Sequence, residues 1–377
     1  MGVLALTAAL GIRALRPIVV VRIGGLRSSR IGPFAGKAEL YLCQRDSGVH
    51  DGRKIDVFYH ASRVSNHQLK RMLDRTLHVW QFSKIISRVS NALPGAAVHV
   101  VPPIPVRDTE GYLSKYPTHL GFTSAEESLG QTELRKMGVP SGSPFVCFLA
   151  RDSTYLTATH GDREWAYHNY RDCNVENYVA AAAELAGRGN FALRMGAVVG
   201  KPLGASAPRV IDYASEFRTD FMDIYLSAKC KFFLSSGAGL DNVAQIFRRP
   251  TAYVDLIPLE FLATWGPDDL IIPRKLWKRD EERFMTFREI LDSGVGRFAE
   301  QEQYDRLGLE PVHNKPEEIR ALAIEMDERL NGTWSTSEED EKLQQRFWSL
   351  FRTSNLNGVF LSRIGAKFLR QNRELLD

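Results

Sequence analysis

The sequence predicts an α/β protein of two Rossmann-like, doubly wound parallel-sheet domains that face each other across a cleft, with a helical C-terminal tail. Three observations predict it. Apolar, β-branched runs alternate with amphipathic helical stretches in two separate series, which is how βαβ units read in sequence. The strongest linker punctuation, Val139-Pro140-Ser141-Gly142-Ser143-Pro144, lies between the two series. The length of 377 residues exceeds what a single hydrophobic core usually organises. The expected division is 1–16 as an N-terminal helix, 17–140 as the first domain with its connecting segment, 141–345 as the second domain, and 346–377 as C-terminal helices.

The first residues, MGVLALTAALGIRALRP, form an apolar run of about eleven residues that is too short to span a bilayer. The run lacks the basic flank and cleavage site of a signal peptide, and Leu6 breaks the myristoylation pattern. It reads as a short helix, packed on the protein or lying at a membrane interface. Ile18–Ile23 is a continuous β-branched run, the mark of a buried parallel strand. A basic, glycine-rich loop follows, then a helical stretch at Phe34–Cys43. Ile55–Tyr59 is a second strand, 65–89 a long helical pattern, and Ala97–Val101 a third strand. A Thr-, Ser-, Gly- and Pro-rich connection with one helix near Glu126–Met137 leads to the linker.

The second series opens with a strand at Phe145–Ala150 and a helix at Val175–Ala186. A strand at Phe191–Met195, a short helix at Phe221–Ala228 and a strand at Lys231–Leu234 follow. The small residues Ser235, Ser236, Gly237, Ala238 and Gly239 then feed a helix carrying Leu240, Val243, Ala244 and Phe247. Pro250 stops that helix before a strand at Thr251–Val254. A glycine turn entering a helix lets backbone N–H groups approach an anion without Cβ obstruction. Its spacing fits neither G-x-G-x-x-G nor a Walker motif, so dinucleotide binding and ATP-driven phosphoryl transfer gain no support. The other reading is a tight connection that needs its glycines only for geometry. From Pro273 onward the tail reads as helical and charged, ending with Phe347–Asn355 and Leu361–Leu376.

Hydrophobic content of 44% with 25% charged residues fits a soluble globular chain rather than a disordered one. A formal charge of +4, with Lys and Arg dispersed along the sequence, gives no nucleic-acid footprint. Cys43, Cys147, Cys173 and Cys230 are far apart and fit a reducing cytoplasm. Localisation is therefore expected to be cytoplasmic, with peripheral contact at the inner face of the plasma membrane left open. His160 and His168 have no Cys partner at ligand spacing, and Asp220 and Asp223 do not form Asp-x-Asp, so no metal site is expected.

The set Arg151-Asp152-Ser153, Tyr170-Arg171-Asp172, Arg194-Met195-Gly196, Asp212-Tyr213 and the 235–250 block resembles a bacterial family of GT-B-type glycosyltransferases from surface-polysaccharide loci. The resemblance runs from about Arg22 to the C-terminus and is strongest between Phe145 and Asp255. It implies a nucleotide-sugar donor, a glycan or lipid-linked acceptor, no cofactor and no metal. Arg151 ends a buried strand, where a guanidinium can grip a diphosphate in bidentate fashion. An interdomain ion pair is the competing reading. Asp152 would orient Arg151 or accept a sugar hydroxyl. Arg194, Gly196, Asp212 and Tyr213 would bind the donor, with Ser236, Gly237 and Gly239 at its phosphates and Asp241 and Asn242 beside them in the first helical turn, where Asp241 could reach a donor-sugar hydroxyl. Asp241 is also a routine N-terminal helix residue. Gly24, Gly25, Arg30 and Gly32 would shape the acceptor side. Relatives of this type often carry His after the Ile-Gly pair, where this chain has Pro33. Glu39 is one replacement for that base, with a solvated helix face as the alternative. The strand-end Arg-Asp also resembles the donor-phosphate motif of fucosyltransferase-like GT-B enzymes, which commonly have His where this chain has Leu149.

The expected activity is transfer of a sugar from a nucleotide-sugar to a surface-glycan or lipid-linked acceptor. A nucleotide-sugar 2-epimerase-like reaction and a non-catalytic nucleotide-sugar-binding scaffold are the alternatives, and Pro33 and Leu149 keep the last one open.

Overall fold

The computed structural model describes residues 2–50, 52–152, 154, 170–204 and 207–377. Strands β1 (Val20–Leu26) and β2 (Lys54–His60) pair in parallel, with Val20 opposite Lys54 and Leu26 opposite His60. Two isolated bridges, Ile23 to Val100 and Phe58 to Val79, extend this small sheet. The expected third strand is thus reduced to one bridging residue after a 3-10 turn at Ala96–His99. There the His99 ring, with Nδ1 2.8 Å from the Val21 carbonyl, takes an acceptor that a strand would have used. The long helical pattern at 65–89 divides into α3 (His67–Thr76) and α4 (Ser83–Asn91). Phe58 exchanges backbone hydrogen bonds with His78 and Trp80, which makes the segment between them strand-like. Helix α1 (Gly2–Ala14) packs on α4, and α2 (Ile31–Asp46) crosses toward the second lobe. Helix α5 (Ser124–Lys136) opens with a capping box between Thr123 and Glu126.

The second lobe is a seven-stranded sheet in the order β12-β8-β7-β6-β3-β4-β5, parallel throughout. Its strands are β3 (Phe145–Leu149), β4 (Phe191–Arg194), β5 (Val210–Ile211), β6 (Phe233–Ser235), β7 (Thr251–Leu256), β8 (Leu270–Pro273) and β12 (Arg363–Ile364). Helices α6 (Glu176–Gly187), α7 (Asp220–Lys229) and the short α8 (Asp241–Ile246) are its crossovers. From β3 the chain winds outward to β4 and β5, then returns to lay β6, β7 and β8 on the other side. The strand order therefore reverses between β3 and β6, the place where doubly wound sheets leave a crevice at their carboxyl ends.

The tail departs from the all-helical expectation. A three-stranded antiparallel sheet joins β9 (Lys275–Lys278), β10 (Arg283–Phe284) and β11 (Leu309–Val312). Helices α9 (Pro316–Leu330), α10 (Glu338–Trp348) and α11 (Ala366–Gln371) then cover the second lobe, and β12 supplies an edge strand of the large sheet. Charge-rich sequence between short apolar runs conceals strands of two to four residues, because two to four positions establish no period.

One apolar cluster runs without a break from Phe34, Tyr41 and Leu73 of the first lobe to Leu193, Tyr225 and Val243 of the second. The lobes meet along α2 and α8, where a Cβ on Gly32 would lie 3.0 Å from the Gly239 Cα and one on Gly36 would lie 3.1 Å from Asn242 Oδ1. Two glycines thus allow backbone-to-backbone approach at the base of the cleft.

Candidate active site

The carboxyl ends of β3 and β6 lie side by side, with Leu149 opposite Ser235. The chain leaves both strands into one cleft of about 610 Å³. Arg151, Asp152, Arg171, Gly196 and the turn at Gly237–Gly239 line the wall of the second lobe, and Arg30, Gly32 and Pro33 line the opposite wall. Tyr253, Phe261 and Trp265 floor a more apolar end. Five arginines (30, 107, 151, 171 and 218) and three aspartates (152, 223 and 241) line the cavity, so cations outnumber carboxylates there.

Ser236 ties the strand ends together: its Oγ accepts the Arg151 N–H at 2.8 Å, and its own N–H donates to the Leu149 carbonyl at 3.3 Å. The Arg151 guanidinium donates to Asp172 Oδ1 at 2.5 Å. Burial, and then the neighbouring Arg171 charge, lower its pKa from the usual arginine value. Arg171 donates to the Gly237 carbonyl at 2.8 Å. Behind them the buried Arg274 donates to the Tyr170 and Asp172 carbonyls at 2.6 Å each, which fixes the loop that carries Arg171. Nothing local in the sequence singles out Arg274. Its role is visible only once the end of β8 is beside residues 170–172. Ser153, His160, His168 and Asn169 lie outside the described residues.

Asp152 acts as a loop staple. Its Oδ1 accepts the Thr154 N–H and its Oδ2 the Gly200 N–H, both at 2.8 Å. Burial works against its charge, but these bonds hold its carboxyl below the ordinary range. The turn departs from the open anion cradle expected of it. Ser235 Oγ accepts the Gly237 N–H at 3.2 Å and the Ala238 N–H at 3.5 Å, while donating to Asp241 Oδ2 at 2.8 Å. Asn242 donates to Asp241 Oδ1 at 2.8 Å. Burial raises the Asp241 carboxyl to about 6. Gly237 holds φ 75°, and a Cβ there would meet Leu256 Cδ2 at 2.7 Å. The positive charge at the cleft therefore comes from the guanidinium groups rather than from the turn.

Several expected site residues lie off the cleft lining. Gly24 and Gly25 are inside β1, under Val101 and Phe58 and against the Tyr59 ring, where larger residues would collide. Arg194 is buried, donating to the Lys201 carbonyl at 2.6 Å and to Asp212 Oδ2 at 3.3 Å, and Asp212 also accepts the Leu203 N–H. This pair pins the loop after Gly196. The Tyr213 hydroxyl is buried, donates to Asp223 Oδ1 at 2.8 Å, and its pKa is pushed far up by burial. Glu39 is fully buried between the lobes, 2.7 Å from Arg248 Nη2 and 3.0 Å from His119 Nδ1. It cannot meet a ligand in the cleft, which corrects its assignment as a base.

Asp223, considered from sequence only as part of a metal motif, is a further carboxylate at the cleft. It lines the cleft, accepts the Tyr213 hydroxyl on Oδ1, and takes two Arg218 hydrogen bonds on Oδ2 at 3.1 and 2.9 Å. Burial raises its pKa to about 6 against the opposing charge of Arg218. Among the described residues, two groups have metal-ligand chemistry: Glu39, Cys43 and His119, and Cys173, Asp255 and His313. In the first, Arg248 Nη2 already lies 2.7 Å from Glu39 and 3.7 Å from Cys43 Sγ. In the second, Arg274 lies 3.4 Å from Asp255 and 3.3 Å from Cys173 Sγ. A guanidinium supplies the compensating charge in each.

The sequence matches no protein-family model and no curated relative. Among solved structures, the glycosyl transferase family 9 protein of Veillonella parvula is similar at 8% identity and TM-score 0.45, covering 83% of this chain and 97% of that one. The E. coli ADP-heptose lps heptosyltransferase II is similar at 14% identity and TM-score 0.34, with 63% of this chain and 86% of that one covered. The iron-containing dodecameric glycosyltransferase TibC of enterotoxigenic E. coli reaches 14% identity and TM-score 0.33, covering 66% and 62%. These overlaps are loose, and the α/β class rests on the parallel strand order of the chain itself.

Proposed function

We propose that the chain is a glycosyltransferase that holds a nucleotide-sugar in this cleft and passes its sugar to a glycan or lipid-linked acceptor. The observation that carries the reading is the gathering of Arg30, Arg151, Arg171 and Arg218 around one opening of about 610 Å³ at the switch point of a doubly wound sheet. Breaking the bond between the anomeric carbon and the phosphate oxygen leaves the electron pair on a diphosphate. Arg151 and Arg171 stabilise that charge as it develops. The apolar end at Tyr253, Phe261 and Trp265 suits the face of a nucleobase or sugar. Asp223 accepts the proton of the acceptor hydroxyl as its oxygen bonds to the anomeric carbon.

A non-catalytic nucleotide-sugar binder is the second reading, and one observation favours it. Each of the three cleft aspartates already accepts hydrogen bonds from the protein.

The test is thermal stabilisation by UDP-, GDP-, CMP-, dTDP- and ADP-sugars, followed by donor turnover with and without lipid-linked glycan acceptors. A donor at about 100 times its dissociation constant adds about 2.7 kcal/mol of stability. A shift for one nucleotide class that Arg171→Gln abolishes supports the donor site. No shift with any class would sink it, and binding without turnover selects the binder.

A further inference from the structure

We infer that helix α1, with the adjoining edge of the first lobe, is a docking surface for an anionic lipid bilayer. The inference is independent of the transfer chemistry and rests on how α1 is oriented. The helix is fixed to α4 through Ala5 and Ala9, which are fully buried, and through Arg13, which donates to Ser90 Oγ at 2.8 Å and to the Ser90 carbonyl at 3.1 Å. Its larger side chains point the other way. Val3 is 78% exposed, Leu4 68% and Leu10 52%, and Ile18 just beyond the helix is 65% exposed. A helix that served only the protein core would bury its leucines and leave alanine outside. Here the arrangement is inverted, with the small residues inside and the aliphatic face outward.

Charge identifies what covers that face. The cations look dispersed along the chain, yet the first 100 residues hold 15 Lys and Arg against 5 Asp and Glu, and residues 101–377 hold 34 against 40. The split is +10 against −6, which sums to the +4 of the whole chain. No acidic residue precedes Glu39. Around the apolar face, Arg16, Arg53 and Lys54 are exposed. The Val20 N–H bonds the Arg53 carbonyl at 2.8 Å, so Arg53 and Lys54 flank the same end as Ile18. An apolar strip edged by lysine and arginine matches an anionic headgroup layer, where the cations neutralise lipid charge and the leucines enter the acyl boundary. Among the described residues, no helix is long and apolar enough to cross a membrane, and α1, about 20 Å long, is shorter than a bilayer core. It therefore lies in the interface plane.

The test is flotation of the full chain with phosphatidylcholine vesicles, with and without phosphatidylglycerol at about a third of the lipid. Binding is expected to the anionic vesicles only and to weaken as salt is raised, because screening shortens the reach of the cations. Leu4→Ser with Leu10→Ser should cut partitioning about tenfold or more while leaving the melting temperature in place, since both side chains are exposed. Arg53→Gln with Lys54→Gln should lower binding and flatten its salt dependence. Failure to float with anionic vesicles, or undiminished flotation of the serine variant, overturns the inference. So does a dimer in analytical ultracentrifugation that the serine variant dissolves, because the face would then belong to a second copy.

Discussion

Asp223 and Glu39 are both buried carboxylates with arginine partners, and their surroundings decide between them. Asp223 borders the cleft, and burial holds its pKa near 6, within reach of a working general base. Asp223→Asn keeps an acceptor for Tyr213 and removes the proton acceptor. Transfer should fall by about 10² to 10⁴ in kcat with donor affinity nearly unchanged. If the chain is the proposed transferase, the rate with unmodified Asp223 should decline as pH drops below about 6, where Asp223 is protonated, and the variant should lose that limb. An equal fall in donor affinity would instead mark Asp223 as structural. This residue was not legible in the sequence, because its importance comes from Arg218 and Tyr213 closing around it in the fold. Arg151, Asp152 and Gly196 were legible because each sits just past the end of a strand, and strand ends face the cleft in this topology. Arg194 also ends a strand, but its side chain turns to Asp212 and Lys201, a direction no local pattern encodes.

The strand–turn–helix unit at β6 and α8 is legible from its punctuation alone, with the strand two residues later than its apolar run suggests and Ser235 inside it. What the punctuation did not disclose is the use of its glycines. Gly239 serves contact with Gly32 on α2, while Gly237 serves a positive φ. Both functions are glycine-specific, and sequence cannot separate them. Gly32→Ala isolates the contact, since its Cβ would meet the Gly239 Cα at 3.0 Å, and backbone on both sides must shift. A loss of about 1–3 kcal/mol is expected, as for overpacking elsewhere. Gly121→Ala is the matched control, because nothing lies within 4 Å of its Cβ position. Denaturant melts of the two variants check this: equal midpoints would show that the lobes are not in register through these helices. The short strands of the tail remained hidden for a different reason, since β10 and β12 have two residues each and display no period.

At the scale of the whole molecule, the apolar cluster shared by both lobes ties the cleft to global stability, and the titration of buried groups gives that stability a pH slope. Burial raises Asp223 and Asp241 to about 6 and Asp269 to about 7, all above the unfolded carboxylate value. The folded chain therefore binds more protons than the unfolded chain between about pH 4 and 7, and stability in that window falls as pH rises. His119 adds to the same slope at higher pH. Hydrogen bonds with Cys43 and then Glu39 raise it to about 10, so its contribution is complete below the unfolded value near 6.5 and is lost as pH climbs toward 10. His50, lowered by burial, opposes the trend. Carboxylates held low by partners, such as Glu126 and Glu289 at about 2, enter only below about pH 4.5. Thermal melts at pH 5.5 and 8.5 should thus show the higher melting temperature at the acid value, by several degrees. Asp269→Asn should reduce the difference, since the amide keeps the Thr251 N–H bond without the titration. A flat or reversed profile would mean that water reaches these carboxyls in the native state and that the core beneath the cleft is open.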